Sequence, residues 1–176
     1  SSPLSFTTGN NQFTGYHIDL CLAIIDKIKA TVGKPINVKY TPVTSQNRIP
    51  LTQNGTVDLE CGSTTNNATR QKDVSFGMTT YVTEVRMAVK AKSGITNIAQ
   101  LNGKTIATTT GTTSVQTLRK HKAAEKVNFK EVFGKDHADS FLLMESGRAD
   151  AFVMDDNILA GLIANAKDPK EFKIVG

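Results

Sequence analysis

The chain has 176 residues, of which 39% are hydrophobic and 21% charged, and its formal net charge is +5. This length suits one ordinary domain or two small lobes of a globular protein. No apolar run approaches the roughly 20 residues of a membrane span. No basic run is interleaved with aromatic residues as single-stranded nucleic acids require. We therefore expect no nucleic-acid partner, and a positive field that helps to gather anionic ligands.

The first half of the chain alternates between helical and strand-like patterns. Apolar residues recur every three or four positions from residue 18 to residue 28, which predicts an amphipathic helix that Gly33 ends. Apolar and polar residues alternate over residues 36–40 and 57–61, which predicts two strands. We expect a short helix capped by Ser45 between these strands, and no strand ahead of the first helix.

The second half repeats strands and helices more regularly. We expect helices after residue 114, over residues 136–145 and over residues 156–166, and strands over residues 86–89, 104–108, 127–132, 151–154 and 172–175. Strands that alternate with helices are typical of an α/β fold. A boundary between two similar halves is expected between residues 88 and 94.

The chain has two cysteines, Cys21 and Cys61, whose spacing matches no zinc site. Cys21 lies in a predicted helix with apolar neighbours and Cys61 ends a predicted strand, so two buried free thiols are our preferred interpretation. A disulfide is the alternative, and it requires an oxidising compartment.

Two arginines of the first half lie among short hydroxyl residues. Arg48 follows Ser45, and Arg70 follows Ser63 and Thr65. A guanidinium group binds a carboxylate through two parallel hydrogen bonds, and hydroxyl groups add neutral donors. Either arginine taken alone is more typical of a surface charge, but together they predict a binding site for a small carboxylate.

Candidate site residues in the second half follow predicted strands. Thr113 lies in the segment Gly-Thr-Thr-Ser of residues 111–114, between a strand and a helix, where unpaired N–H groups attract anions. An ordinary N-cap is the simpler interpretation of that segment. Asp155 follows the strand of residues 151–154 and can receive an ammonium group, whereas Asp156 suits the cap of the next helix.

His137 lies within residues 135–140, where the simpler interpretation is a helix N-terminus with Asp139 or Ser140 as its cap. A lone histidine is more often structural than functional. The only other histidines, His17 and His121, form no ligand pair with it. We therefore expect no metal and no cofactor. No nucleophile motif and no acid/base pair is present, so we assign no catalytic residue.

Six segments together carry a resemblance to a known family. The chain closely resembles periplasmic glutamate/aspartate-binding proteins of bacterial ABC importers. The matching segments are residues 44–51, 53–67, 111–114, 135–141, 145–149 and 154–156. The first two are the most specific, and the likeness extends over essentially the whole chain.

The resemblance implies a periplasmic-binding-protein-like architecture of two α/β lobes, residues 1–89 and residues 90–176, which close on an amino acid. It implies that Arg70, with Thr65 and Thr113, binds the α-carboxylate. It implies that Asp155, with Ser63, binds the α-ammonium group. The side-chain carboxylate would lie among a third set, which consists of Ser45, Arg48 and His137.

The resemblance also implies that lobe one is incomplete. Family members begin with a further strand, and their chain returns to lobe one after lobe two. We therefore expect this chain to dimerise, to borrow these elements from a second copy, or to bind ligand poorly.

The function implied by the resemblance is the substrate-binding component of a periplasmic, or otherwise extracytoplasmic, ABC importer. It would bind glutamate or aspartate, work with a membrane permease and catalyse no reaction. Two alternatives use the same scaffold: a carboxylate lyase or dehydratase with His137 as general acid, and a sensory ligand-binding module.

Overall fold

The computed structural model describes all residues from 1 to 176, which divide into two compact units. The first unit consists of Ser1–Val43 and Asn47–Phe76, and the second of Thr44–Gln46 and Gly77–Gly176. The main division thus follows residue 76, whereas the sequence pattern predicted a boundary between residues 88 and 94 and the resemblance implied one after residue 89. Strand β3 (Val85–Lys90) explains the difference, because it pairs on both sides with strands of the second unit.

The second unit is built on a five-stranded sheet with the order β5-β4-β6-β3-β7. Strands β4, β5 and β6 are parallel, and β3 runs antiparallel to both β6 and β7. The other four strands are β4 (Thr105–Thr109), β5 (Lys130–Gly134), β6 (Ala151–Asp155) and β7 (Phe172–Val175).

Helices cover both faces of this sheet. They are α3 (Thr113–Ala124), α4 (His137–Glu145) and α5 (Asp156–Ala164). Alternate residues of β6 enter two different cores, with Ala151 and Val153 packing beside Leu118 of α3, and Phe152 and Met154 packing beside α4 and α5. This alternation follows from the two-residue period of a strand. The predicted α/β order of the second half is therefore confirmed.

Local details of the second unit differ from the prediction. Strand β5 begins at Lys130 rather than residue 127, because Lys126 has a φ of 54° and the N–H of Val127 bonds the carbonyl of Lys122 to end α3. Helix α4 is capped by Asp136, whose carboxylate accepts from the N–H of Asp139. The predicted caps, Asp139 and Ser140, are therefore wrong.

The first unit contains less regular structure. It consists of a hairpin of β1 (Phe6–Gly9) and β2 (Gln12–Thr14), the helices α1 (Tyr16–Val32) and α2 (Arg48–Gln53), and one 3-10 turn (Arg70–Lys72). The hairpin was not predicted, although Asn10 and Asn11 adopt φ angles of 51° and 56°, as two-residue hairpin turns require. Helix α1 ends at Gly33 as predicted, with a φ of 65°.

Two predicted strands of the first unit do not form. Residues 36–40 and 57–61 belong to no strand, and Val38, Tyr40 and Leu59 are exposed. Alternation of apolar residues indicates strand propensity but supplies no hydrogen-bonding partner, and a ladder needs both. Ser45 is not the cap of α2, which begins at Arg48 after Asn47.

Cys21 and Cys61 form a disulfide, with their Cα atoms 6.3 Å apart. The preferred interpretation of two free thiols was therefore wrong. The bond joins α1 to the segment that leads into Ser63 and Thr65. No helix of the chain combines the length and the hydropathy that crossing a membrane requires.

Candidate functional site

Arg48 is the most buried of the predicted site residues in the first unit. It opens the short helix α2 and is only 6% exposed. A guanidinium group is almost never this buried unless it is paired, because its charge loses hydration. The interpretation of Arg48 as an ordinary surface charge is therefore wrong.

Arg70 and Thr65 come together through the backbone. Nη1 of Arg70 donates to the carbonyl oxygen of Thr65 at 3.0 Å, and the N–H of Arg70 donates to Oδ1 of Asn67 at 2.9 Å. These bonds fold residues 65–70 into a tight loop that ends in a 3-10 turn. Of the two bonds, only the one to Thr65 involves the guanidinium group, whose planar set of donors can bind a carboxylate bidentately.

Ser63 is half-buried in a segment held at several points. Nδ1 of His17 lies 2.5 Å from the carbonyl oxygen of Gly62, and the hydroxyl of Thr64 donates to Oε2 of Glu60 at 2.7 Å. Together with the disulfide at Cys61, these contacts fix the backbone on both sides of Ser63.

Three predicted site residues of the second unit lie at one edge of its sheet. Because β4, β5 and β6 are parallel, their carboxyl ends meet at the same edge, where α/β proteins commonly bind ligands. Thr113 is the first residue of α3, His137 is the first residue of α4, and Asp155 is the last residue of β6.

The loop between β4 and α3 is shaped by a glycine. Gly111 has a φ of 81°, and a Cβ atom there would lie 2.8 Å from the carbonyl oxygen of Ser45. Ser45 is thereby brought against the loop that contains Thr113. Thr112 occupies the N-cap position of α3 without a side-chain cap bond, because its hydroxyl donates to the carbonyl of Thr109 at 2.8 Å. A threonine thus occupies the N-cap position, as the simpler interpretation has it, but without the side-chain hydrogen bond of an ordinary cap.

His137 is 8% exposed and belongs to a buried chain of hydroxyl groups. Its Nδ1 lies 2.9 Å from Oγ1 of Thr109, and that oxygen lies 2.8 Å from Oγ of Ser140. Thr109 was not predicted as a site residue, and Ser140 was considered only as a helix cap. The available signal was a threonine at the end of a predicted strand and a serine three positions after His137 on the same helix.

Neither aspartate after Met154 caps α5 through its side chain. Asp155 is 9% exposed and occupies the N-cap position without a cap bond. Asp156 is the first helical residue and accepts from the hydroxyl of Thr83 and from the N–H of Asn157. Chiefly because of the Thr83 hydrogen bond, the pKa of the Asp156 carboxyl lies below its usual value. The prediction that Asp156 is the cap is wrong.

The sequence matches one family over nearly its whole length. The model for bacterial extracellular solute-binding proteins, family 3, matches residues 1–168. The chain belongs to this family.

Two curated relatives are similar over the entire chain. The glutamate/aspartate import solute-binding protein of Escherichia coli is 46% identical over 177 residues, which are 100% of this chain and 59% of the relative. The L-glutamate/L-aspartate-binding protein of Pseudomonas aeruginosa is 45% identical over 178 residues, with the same shares covered. The chain therefore spans about three fifths of the length of these relatives.

Solved structures share the fold at lower identity. An ancestral arginine-binding protein bound to arginine has a TM-score of 0.85 and 27% identity, over 99% of this chain and 74% of that one. An ancestral amino acid-binding protein described as a precursor of cyclohexadienyl dehydratase has a TM-score of 0.83 and 27% identity, over 99% of this chain and 72% of that one. The predicted fold class, that of periplasmic amino-acid-binding proteins, is confirmed.

Proposed function

We propose that this chain is the substrate-binding component of an extracytoplasmic ABC importer and that its ligand is glutamate or aspartate. The observation that supports the proposal most is the 45–46% identity, over the entire chain, to relatives named for these two amino acids. A periplasmic location agrees with the family description and with the disulfide, since disulfides persist in oxidising compartments.

The charges of the candidate residues suit an acidic amino acid. Arg48 and Arg70 against Asp155 leave one net positive charge, and glutamate or aspartate at neutral pH carries one net negative charge. Burying such a ligand is costly unless every charged group is paired. The candidate set supplies a cation for each carboxylate and an anion for the ammonium group.

We assign the roles by group. Arg70, Thr65 and Thr113 bind the α-carboxylate, and Asp155 binds the α-ammonium group with Ser63. The side-chain carboxylate binds a set that consists of Ser45, Arg48 and His137. The burial of Arg48 supports this division, because a buried guanidinium group favours a ligand that brings a negative charge.

We propose binding without catalysis, followed by delivery to a membrane permease. Lobe closure around the ligand is part of this proposal, because contacts made only in the closed state would shift the equilibrium toward it. The dehydratase alternative gains little from the structural relatives, since the one described as a precursor of a dehydratase is itself described as an amino acid-binding protein. Self-association through the first lobe stays a prediction.

Calorimetric titration of the natural full-length protein tests the proposal. We expect glutamate or aspartate to bind at least tenfold more tightly than glutamine or arginine, because only an acidic side chain pairs with Arg48. Preference for glutamine or arginine would contradict the proposed ligand. Turnover of an acidic amino acid, followed by mass spectrometry, would contradict the assignment as a binding protein.

Two substitutions separate the proposed roles. Arg70→Ala should abolish binding of every amino acid, because all of them share the α-carboxylate. Arg48→Ala should mainly remove the preference for acidic over neutral side chains, at a cost of about 2–5 kcal/mol for the acidic ligand. Equal losses for all ligands in both variants would contradict the division of roles.

A further inference from the structure

His137 contacts a buried row of hydroxyl groups, and the contacts of these groups determine which atom donates and which accepts in each hydrogen bond. Oγ of Ser140 lies 3.1 Å from the carbonyl oxygen of Thr108 and 3.0 Å from the carbonyl oxygen of Asp136. Carbonyl oxygens only accept hydrogen bonds, so the single hydroxyl proton of Ser140 is donated to them. In its third contact, at 2.8 Å from Oγ1 of Thr109, Ser140 is therefore the acceptor.

The direction of that bond determines the next one. Thr109 uses its only hydroxyl proton on Ser140, so Oγ1 of Thr109 accepts in its contact with Nδ1 of His137 at 2.9 Å. Nδ1 of His137 must then carry a proton. A chain of two hydroxyls and two backbone carbonyls thus selects one histidine tautomer, as partners of the opposite ring nitrogen commonly do.

We propose that Thr109 and Ser140 are positioning residues that hold His137 as the Nδ1–H tautomer and engage that nitrogen within the protein, so that Nε2 is the ring atom that meets the ligand. The part concerning the ligand rests on the proposed function, in which His137 contacts the side-chain carboxylate. The tautomer itself depends only on the hydrogen bonds of the second unit.

Thr108 is a buried threonine of β4 whose hydroxyl has no hydrogen bond to His137, so burial in β4 alone does not give a threonine the proposed positioning role. Thr108 and Thr109 are adjacent, and both are fully buried. Oγ1 of Thr108 has no hydrogen-bond partner, whereas Oγ1 of Thr109 has two. Only the backbone carbonyl of Thr108 takes part in the chain, and Thr108→Val leaves that carbonyl in place. Thr108→Val is therefore a matched control for Thr109→Val, with the same change of shape at the same burial.

Long-range ¹H–¹⁵N NMR of the full-length protein reads the tautomer directly, because protonated and unprotonated ring nitrogens give separate signals. The His137 signals are identified by their absence in His137→Gln. His17 is an internal reference, since its Nδ1 faces the carbonyl of Gly62 and must also carry a proton.

In the neutral ring of the wild type we expect the proton on Nδ1 of His137. Thr108→Val should keep it there, Thr109→Val should lose the preference, and Thr109→Ser should restore it. A neutral His137 with its proton on Nε2, or identical spectra for Thr108→Val and Thr109→Val, would overturn the proposal. His17 should keep its signals in all variants, which controls for the first unit, and Thr109→Ser, which keeps the hydroxyl, controls for the effect of a substitution in the second unit.

Calorimetry with glutamate and aspartate tests the consequence for binding. Thr109→Val should weaken binding of the preferred acid about fivefold, the scale of one hydrogen bond, while Thr108→Val stays within about twofold of the wild type. If the wild type binds neither acid, the proposed function fails and the NMR result still decides the tautomer. If the wild type binds and Thr109→Val loses the tautomer without losing affinity, the positioning role is wrong.

Discussion

Each of the two units is stabilised internally by a different kind of interaction. The second unit has a complete five-stranded sheet with an apolar core on each face. In the first unit only two hydrophobic residues, Leu4 and Ile18, are buried, and Ile24, Ile28 and Val32 of α1 are exposed. The first unit instead relies on a disulfide and on polar contacts around residues 60–70.

Because of this difference, the candidate binding residues of the two units are held in position by different interactions. In the second unit, hydrophobic packing of the sheet determines where Thr113, His137 and Asp155 lie, because each is at the end of a packed strand or the start of a packed helix. In the first unit, covalent and polar contacts hold the loops of Ser63 and Arg70. We therefore expect the two units to respond to different perturbations.

The largest expected effect is the loss of an apolar core residue in the second unit. Phe152 is fully buried among residues of β6, α4 and α5. Phe152→Ala should lower the free energy of unfolding by about 3–5 kcal/mol, because it removes apolar contact and leaves a cavity. Hydrogen exchange resolved by unit is the measurement, since two units need not unfold together.

The control for this comparison is Ile28→Ala in the first unit. Ile28 is 45% exposed, so its truncation should change stability by less than about 1 kcal/mol. Comparable losses for Phe152→Ala and Ile28→Ala would contradict the difference between the units.

Removal of the disulfide is the next largest perturbation. The bond closes a loop of 40 residues, and replacing both cysteines by serine should cost about 2–4 kcal/mol, mainly through a less restricted unfolded chain. We expect faster amide exchange in α1 and little change in β6. A reducing agent should reproduce the effect in the wild type and leave the double variant unchanged. Equal acceleration in both units would show that the disulfide does not act locally.

A smaller effect is expected from the glycine that precedes α4. A Cβ atom on Gly134 would lie 2.5 Å from the backbone nitrogen of Ser140. Gly134→Ala should therefore destabilise the second unit by about 1–3 kcal/mol, because the start of α4 must move away from β5. Gly77 is the control, since a Cβ atom there meets nothing within 4 Å. Equal thermal shifts for the two variants would contradict close approach at Gly134.

The smallest expected effect is the pH dependence of stability that comes from the Asp156 carboxyl group. The pKa of Asp156 is lowered from its usual 3.8, chiefly by the Thr83 hydroxyl. The stabilisation is therefore present above the unfolded pKa and disappears as the pH falls through the folded one. Thr83→Val should lower stability at neutral pH, with the difference from wild type vanishing in strong acid. Because Asp156 is only partly buried and water screens its charge, the difference should be smaller than the three effects above. A constant difference at every pH would show that the hydroxyl acts through packing alone.

Much of the fold could be predicted from the sequence in the second unit and little in the first. In the second unit, apolar residues recur with the clear periods of strands and helices. The predicted bounds of β4, β6 and β7 therefore differ from the structure by about one residue. In the first unit, residues 36–40 and 57–61 have the period of a strand but no ladder partner, and the period of a segment carries no information about its partner.

The sequence indicated which types of residue form the candidate site but not which of them contact one another. Arginine, aspartate and hydroxyl residues following predicted strands indicated a ligand with both charges, and in the structure Arg70 donates to the backbone carbonyl of Thr65. The burial of Arg48 and the link from Thr109 to His137 were not predicted. Thr109 and His137 are 28 positions apart, so only the path of the chain decides whether they meet.

By itself the sequence determined most helices and strands of the second unit and the C-terminal end of α1, because these depend on residues within a few positions of one another. The tertiary structure decided the pairing of Cys21 with Cys61, the failure of two strands to form and the contact of Thr109 with His137. Each of these depends on which distant groups become neighbours, and the free energy of such contacts is realised only after the chain has folded.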